Sequence, residues 1–541
     1  MSSPRLGPPS RAECPTARMS THWRDGKEQV LPGAHHAPNV DEQLGALERR
    51  RGFRFDLRLR PPRVRGPAQI SALASAQISG RKPRSLRSAT IQEQGREFVM
   101  EEIETRAIRR VMWRLMPFLF VCYFVAYLDR VNVGFAKLQM NAAIGLSESA
   151  YGFGAGLFFI AYFLLEVPSN LALDKFGARL WIARIMLSWG IISAMFAFIA
   201  PISKATGVSS EWVFYILRFL LGIAEAGFFP GIIFYLTLWF PSVYRARVVA
   251  LFMLAIPFSS IVGAPVSGAL LNVTGAGLDG WQWLFILEAL PSIVMALAVI
   301  LYLTDRPALA AWLPDDEKAW LEARLEAERK QKTAVEHLSI GKALSDPRVL
   351  ACSFVYFCLN AASYGVAFFL PTIVKGFGVS NFQTGLLSAL PFVFGAVGMV
   401  LLGRNSDRTL KRREHVCFAM VLAAVGVAGA GLVSSPVLVL GLLCLSQIGV
   451  SATPPLLWPI PSAFLTGTSA AAGIAAINSI GNLSGFAGPY VMGYLKDLTG
   501  NFTAGLLVLG GCTLAGGIVA MTLRVNRDLE AAEANKPVLA E

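Results

Sequence analysis

The sequence predicts an all-α integral membrane protein with twelve spanning helices arranged as two six-helix halves. Hydrophobic residues fill 54 % of the 541 positions and charged residues only 16 %, against roughly 25 % charged in an ordinary soluble domain. From about residue 114 onward, apolar runs long enough to cross a bilayer, ~20 residues, alternate with short charged or turn-rich breaks. Patterns at the ends of these runs recur in the second half of the chain.

The runs fall at 114–136, 150–173, 180–200, 211–238, 247–271 and 281–303, then at 349–374, 384–403, 415–434, 436–462, 470–495 and 502–523. Pro454, Pro455, Pro459 and Pro461 interrupt the tenth, because proline removes a helix N–H and crowds the preceding turn. Between the two sets lies a polar connection, 304–348. Acidic residues after Pro314 and Arg329, Lys330 and Lys332 near its end suit a helix macrodipole, so it reads as an amphipathic helix on the cytoplasmic membrane surface.

Two echoes support duplication. Asp174-Lys175 follows the second run and Asp407-Arg408 the eighth, 233 residues later; Gly268…Thr274-Gly275 ends the fifth and Gly493…Thr499-Gly500 the eleventh, 225 residues later. Six plus six helices is the economical reading. Orientation follows from Lys and Arg in short loops. Lys175, Arg179, Arg245, Arg247, Arg404, Arg408 and Lys411 to Arg413 fall on one side, and the alternate loops carry single lysines. Both termini are expected in the cytoplasm.

Residues 1–99 differ: they carry 18 Lys/Arg against nine Asp/Glu and no long apolar run. Such a basic stretch suits nucleic acid or anionic lipid; the reading adopted is a disordered extension ahead of a natural start at Met100, with no nucleic-acid partner. The domains expected are therefore 1–99 extension, 100–303 first bundle, 304–348 linker, 349–525 second bundle and 526–541 cytoplasmic tail. The seven cysteines have no CxxC spacing and read as small buried hydrophobes. The five histidines lie in the extension, the linker or at a helix edge. No metal site or cofactor is expected, and any proton chemistry falls to carboxylates.

A charge inside the hydrocarbon region costs several kcal/mol unless it meets a partner or water, so each is a functional candidate. Asp129 and Arg130 lie in the first run, Glu166 in the second, Arg218 and Glu225 in the fourth and Glu288 in the sixth. Arg218 and Glu225 are seven apart, which returns to within ~20° of one helical face at ~10 Å along the axis. Asp129 and Arg130 are adjacent, so their side chains diverge by ~100°. Tyr123, Tyr127 and Arg130 share a face at i, i+4 and i+7, offering two phenols and a planar guanidinium to a carboxylate. The alternative for each pair is an ion pair that only fixes helix packing. Glu166 and Glu288 read as structural groups bonded to helix ends or loop arginines.

Specific motifs accompany these charges. Asp174-Lys175-Phe176-Gly177-Ala178-Arg179 resembles the signature loop of the major facilitator superfamily, with Asn170 in place of its first glycine, and Arg218…Gly222 resembles that superfamily's second motif. The stretches TyrLeuAspArgValAsnValGlyPheAla from Tyr127, GluValProSerAsn from Glu166 and ArgPheLeuLeuGlyIleAlaGluAlaGlyPhePhePro from Arg218 are similar to the anion:cation symporter family, particularly its bacterial tartrate, phthalate and sugar-acid members. The resemblance covers roughly residues 100 to 530. It implies the twelve-helix major facilitator fold and proton-coupled uptake of a small organic anion by a monomer in the bacterial inner membrane. It further implies proton coupling at Asp129 and Glu225 and substrate contacts at Arg130, Arg218 and Tyr127.

The seventh run has no arginine, where some relatives place one. It offers Asn360, Ser363 and Tyr364, and the eleventh offers Asn478 and Asn482 at i, i+4; such neutral donors suit a hydroxylated or aromatic acid, or ordinary interhelical bonding. Asp174, Lys175, Arg179, Asp407 and Arg408 are expected to form a cytoplasmic gate, paired in one state and released in another. The nearest rival is a proton-exchanging drug exporter, disfavoured because 263–268 reads Gly-Ala-Pro-Val-Ser-Gly rather than Gly-Pro-x-x-Gly-Gly. A non-transporting nutrient sensor is a second rival. An enzyme is excluded by the lack of a Ser/His/Asp set, a metal-ligand cluster or a phosphate-cradling loop.

Overall fold

The computed structural model describes the backbone of residues 84–333, 345–464 and 467–523, and within them every regular element is a helix. Eleven helices among the described residues are long and apolar enough to cross a membrane. Spans one to six are Phe98–Ile144, Glu148–Phe176, Ala178–Thr206, Ser210–Thr237, Ser242–Leu270 and Gly280–Tyr302. Spans seven to ten are Pro347–Lys375, Asn381–Thr409, Arg412–Leu432 and Pro436–Pro461, and the last is Thr503–Thr522. At the eleventh expected run stands Gly467–Thr499, a helix of 33 residues, so all twelve runs are helical.

Local chemistry fixes the ends. Ser147, Ser209 and Ser380 accept hydrogen bonds from the N–H groups of Ala150, Trp212 and Gln383, satisfying donors that have no partner within the helix. The tenth span breaks where the prolines predicted, Pro436–Leu457 giving way at Trp458 to Pro459–Phe464. The first helix begins at Arg84, earlier than the expected boundary at residue 100. The rest of that extension, part of the linker and the 526–541 tail lie outside the described residues.

The linker helix, Asp315–Thr333, starts on three acidic residues as expected and docks onto the first half. Arg110 holds Glu317 at 2.8 Å, Arg245 holds Glu328 at 3.0 Å, and Trp312 stacks on Trp239.

The two halves meet where span two packs on the eleventh helix and span five on span eight. Missing side chains allow this approach. A Cβ on Gly385 would collide with the Ala264 carbonyl oxygen, and one on Gly268 would stand 2.5 Å from that of Asn381; small residues let membrane helices touch backbone to backbone. Polar bonds reinforce the same end. Asp497 accepts from the backbone N–H of Glu148 and Ser149, Lys137 pairs with Glu148 at 2.7 Å and donates to Thr372 at 3.0 Å, and Asn381 bonds Asn272. This end, bearing the 145–147 and 500–502 loops, is sealed. Among the described residues no ion pair joins Asp174, Lys175 or Arg179 to Asp407 or Arg408 at the other end.

Gly385→Val should therefore disfavour the sealed state by ~1–3 kcal/mol, a roughly 5- to 150-fold fall in its equilibrium constant against the open state. Spin labels at Val273→Cys and Phe382→Cys should report a longer distance across this seam; an unchanged distance would refute the packing argument.

Candidate functional site

Two helix breaks set the site. Span four stops at Glu225; Ala226 is extended and Gly227 has φ 85° before the helix resumes at Phe228. A Cβ on Gly227 would collide with the Ser169 hydroxyl, so the break is tied to span two. The first span has a turn at Asn132, between its two helices. Irregular backbone at membrane depth persists only where protein buries it or a cavity receives it. Asp129, Arg130 and Glu225 lie within one turn of these breaks.

Arg130 pairs across with Glu225, and its guanidinium lies 5.6, 5.4 and 5.7 Å from the ring centroids of Tyr127, Phe158 and Tyr162. Arg218 donates to the Ala155 carbonyl at 2.9 Å and lies 5.3 Å from the Phe158 ring and 5.8 Å from the Phe368 ring. Among the described residues no carboxylate is within ion-pair distance of Arg218. Exposure is 9 % for Arg130, 1 % for Arg218 and 2 % for Glu225. The cluster thus holds two cations against one carboxylate, with aromatic faces between them to stabilise the cations. The same-face reading of Arg218 and Glu225 does not make them an ion pair; Glu225 finds its cation on another span.

The other expected residues divide. Tyr127 lies under the Arg130 guanidinium, and Tyr364 of span seven meets Phe159 at 4.4 Å between centroids and stacks on Phe368, the ring beside Arg218. Asn360 is buried with its amide nitrogen unbonded among the described residues. Tyr123 stacks on Phe252 at 4.5 Å and belongs to an aromatic wall as much as to the site. Asn478 donates to Glu166 at 3.3 Å, a bridge between the halves where sequence reasoning placed Glu166 against helix ends or loop arginines. Asn482 is half-buried.

Asp129 is turned away from the cations. It accepts from Trp189 at 2.8 Å, Ser292 at 2.6 Å, Ser193 at 3.2 Å and Asn132 at 3.3 Å, within the interface of spans one, three and six. The expected gate residues are apart: Asp174, Lys175 and Arg408 are exposed, Arg179 bonds Asp305 through its backbone N–H, and Asp407 pairs with Arg412. Sequence reasoning missed Phe158 and Tyr162. Tyr162 stands four residues before Glu166, so helical spacing from a polar residue was the available signal. Glu288 bonds Ser267 at 2.6 Å, neither a helix end nor an arginine.

This arrangement leaves one net positive charge among buried aromatic rings, between two halves sealed at one end. The Major Facilitator Superfamily model matches residues 119–489 and 352–537. The chain is similar to the "Putative tartrate transporter" of Agrobacterium vitis, 49 % identical over 423 residues covering 78 % of this chain and 95 % of the relative. It is also similar to the "Quinolone resistance transporter" of Acinetobacter baumannii, 43 % identical over 420 residues covering 77 % and 95 %. Its fold matches the xylose transporter XylE from E. coli with a TM-score of 0.62 at 13 % identity, covering 78 % of this chain and 99 % of that one. A helical membrane chain with this signature loop, these relatives and this fold belongs to the major facilitator superfamily of transporters and is not an enzyme.

Proposed function

We propose that the chain carries out proton-coupled uptake of a small organic anion, tartrate being the first candidate, across the bacterial inner membrane as a monomer with both termini cytoplasmic. On this topology the sealed end is periplasmic. The residue groups 100–303 and 349–525 act as rocking bundles, and Asp174, Lys175, Arg179, Asp407 and Arg408 close the cytoplasmic end in the opposite state.

The observation that carries the reading is the charge balance around Arg130. Arg130, Arg218 and Glu225 sum to one positive charge, which one monoanion would neutralise. A dianion such as tartrate needs a second positive charge, and a proton on Glu225 supplies it. A carboxylate entering on Arg130 displaces Glu225, which then lies buried without its cation and takes up the proton, because an unpaired buried charge is too costly. Anion and proton therefore load together. Tyr127, Tyr364, Asn360, Asn478 and Asn482 are the candidates for the hydroxyl groups, with Tyr123 supporting Tyr127 from behind.

The test is uptake into proteoliposomes of tartrate, an aldonate and phthalate, with and without an inward proton gradient. Tartrate accumulation that requires the gradient is expected. Transport restricted to neutral or cationic compounds would overturn the reading. A second reading, proton-coupled efflux, is favoured by the relative named for quinolone resistance; gradient-driven extrusion of a quinolone with no tartrate uptake would select it.

A further inference from the structure

We infer that Glu288 is a second proton-carrying carboxylate, exchanging one proton with Asp129 beside the Asn132 amide and reached from the sealed end. The inference rests on the proton-coupled reading above and adds a residue to it.

Glu288 is 2 % exposed and Asp129 3 %. Ser292, one turn after Glu288 on span six, donates to Asp129 at 2.6 Å, and Asn132 donates to the same carboxylate at 3.3 Å, so both acids face one interhelical seam. The groups facing this cluster are neutral apart from the two acids themselves. Span three brings Trp189 and Ser193, span five Ser267 and span six Ser292, while Arg130, next to Asp129 on span one, is turned to Glu225. Two buried carboxylates without a cation cannot both stay ionised, since each bare charge costs several kcal/mol. Asp129 has four donors and suits the ionised form. Glu288 has one, Ser267 at 2.6 Å, and its other oxygen, like the Asn132 amide oxygen, has no partner among the described residues. An acid O–H on that Glu288 oxygen would be a donor in a site that otherwise has two unmatched acceptors. The proton therefore rests on Glu288.

A small cavity adjoins it. Ser267 also lines a cavity of ≈ 20 Å³ at the seam of the halves, together with Val131, Ser260, Pro371 and Ser388, and the Ser388 hydroxyl is buried without a partner. That volume accommodates one water, and the serines supply the polar partners a water needs. In the transfer, Glu288 loses its O–H proton, the Asp129 carboxylate gains it, and Glu288 is reprotonated by a proton arriving from bulk water through this cavity.

The experiment compares the full chain with Glu288→Gln, which keeps an acceptor for Ser267 but cannot release a proton. Infrared difference spectra on titration should contain a protonated-carboxylic-acid C=O band at neutral pH that Glu288→Gln removes. In proteoliposomes the variant should retain tartrate counterflow, which reports folding and binding, while gradient-driven tartrate accumulation falls roughly tenfold or more. Glu288→Asp should restore part of that accumulation, which a purely structural role does not foresee. An unchanged infrared band, or undiminished accumulation by Glu288→Gln, overturns the inference. If the parent chain itself shows no gradient-driven accumulation, the proton-coupled reading falls, and the infrared band alone then decides whether Glu288 holds a proton.

Discussion

Arg130→Leu is expected to weaken tartrate binding by roughly 10- to 150-fold, the loss of one charge-assisted contact of ~1.5–3 kcal/mol. Arg130 presents its guanidinium to Glu225 while standing over Tyr127 and Tyr162, so an entering carboxylate finds a charged, planar donor already desolvated. Leucine removes the donor and also strands Glu225, which then binds a proton whether or not substrate is present. Counterflow should fall with affinity, and proton uptake on adding tartrate should vanish. A second variant separates binding from packing. If Arg130 served only to neutralise Glu225, the double replacement Arg130→Leu with Glu225→Leu would restore tartrate affinity, since exchanging a buried pair for apolar groups is often neutral. Isothermal titration of the double variant should instead find binding as weak as in Arg130→Leu.

The helices were legible because a bilayer imposes one length and one polarity on every span. Boundary residues such as Ser147, Ser209 and Ser380 carry their own capping chemistry. The buried charges were legible for the same reason, since each departs from an apolar background. What spacing along one helix cannot convey is the partner on another. Arg218 and Glu225 share a face, yet ~10 Å of axial separation leaves them unpaired, and the break at Gly227 turns Glu225 toward Arg130 instead. Asp129 and Arg130 diverge as their adjacency requires, but only the packing of spans three and six reveals that Asp129 is the one facing inward to Trp189 and Ser292. Glu288 reads from sequence as a structural group bonded to a helix end or a loop arginine. Its isolation from any cation is a property of three neighbouring spans and leaves no trace in its own.

Glu225→Gln is expected to separate exchange from accumulation. Glutamine keeps an oxygen for Arg130 and removes the charge, so the site resembles its protonated, substrate-ready form permanently. Tartrate counterflow should persist at a rate near that of the parent, while accumulation driven by an inward proton gradient is lost, because tartrate no longer loads together with a proton beside Arg130. The pH dependence of binding follows with a definite sign. In the parent, tartrate must find Glu225 protonated to meet two uncompensated cations, so affinity falls as pH rises and the glutamate stays ionised on Arg130. In Glu225→Gln that competitor is gone, and affinity should be flat across the same range. A variant that still concentrates tartrate against its gradient, or whose affinity falls with pH as the parent's does, would move the coupling away from Glu225. In that event the acids at Asp129 and Glu288 would be left to carry it, and Glu288→Gln would then be the more damaging replacement of the two.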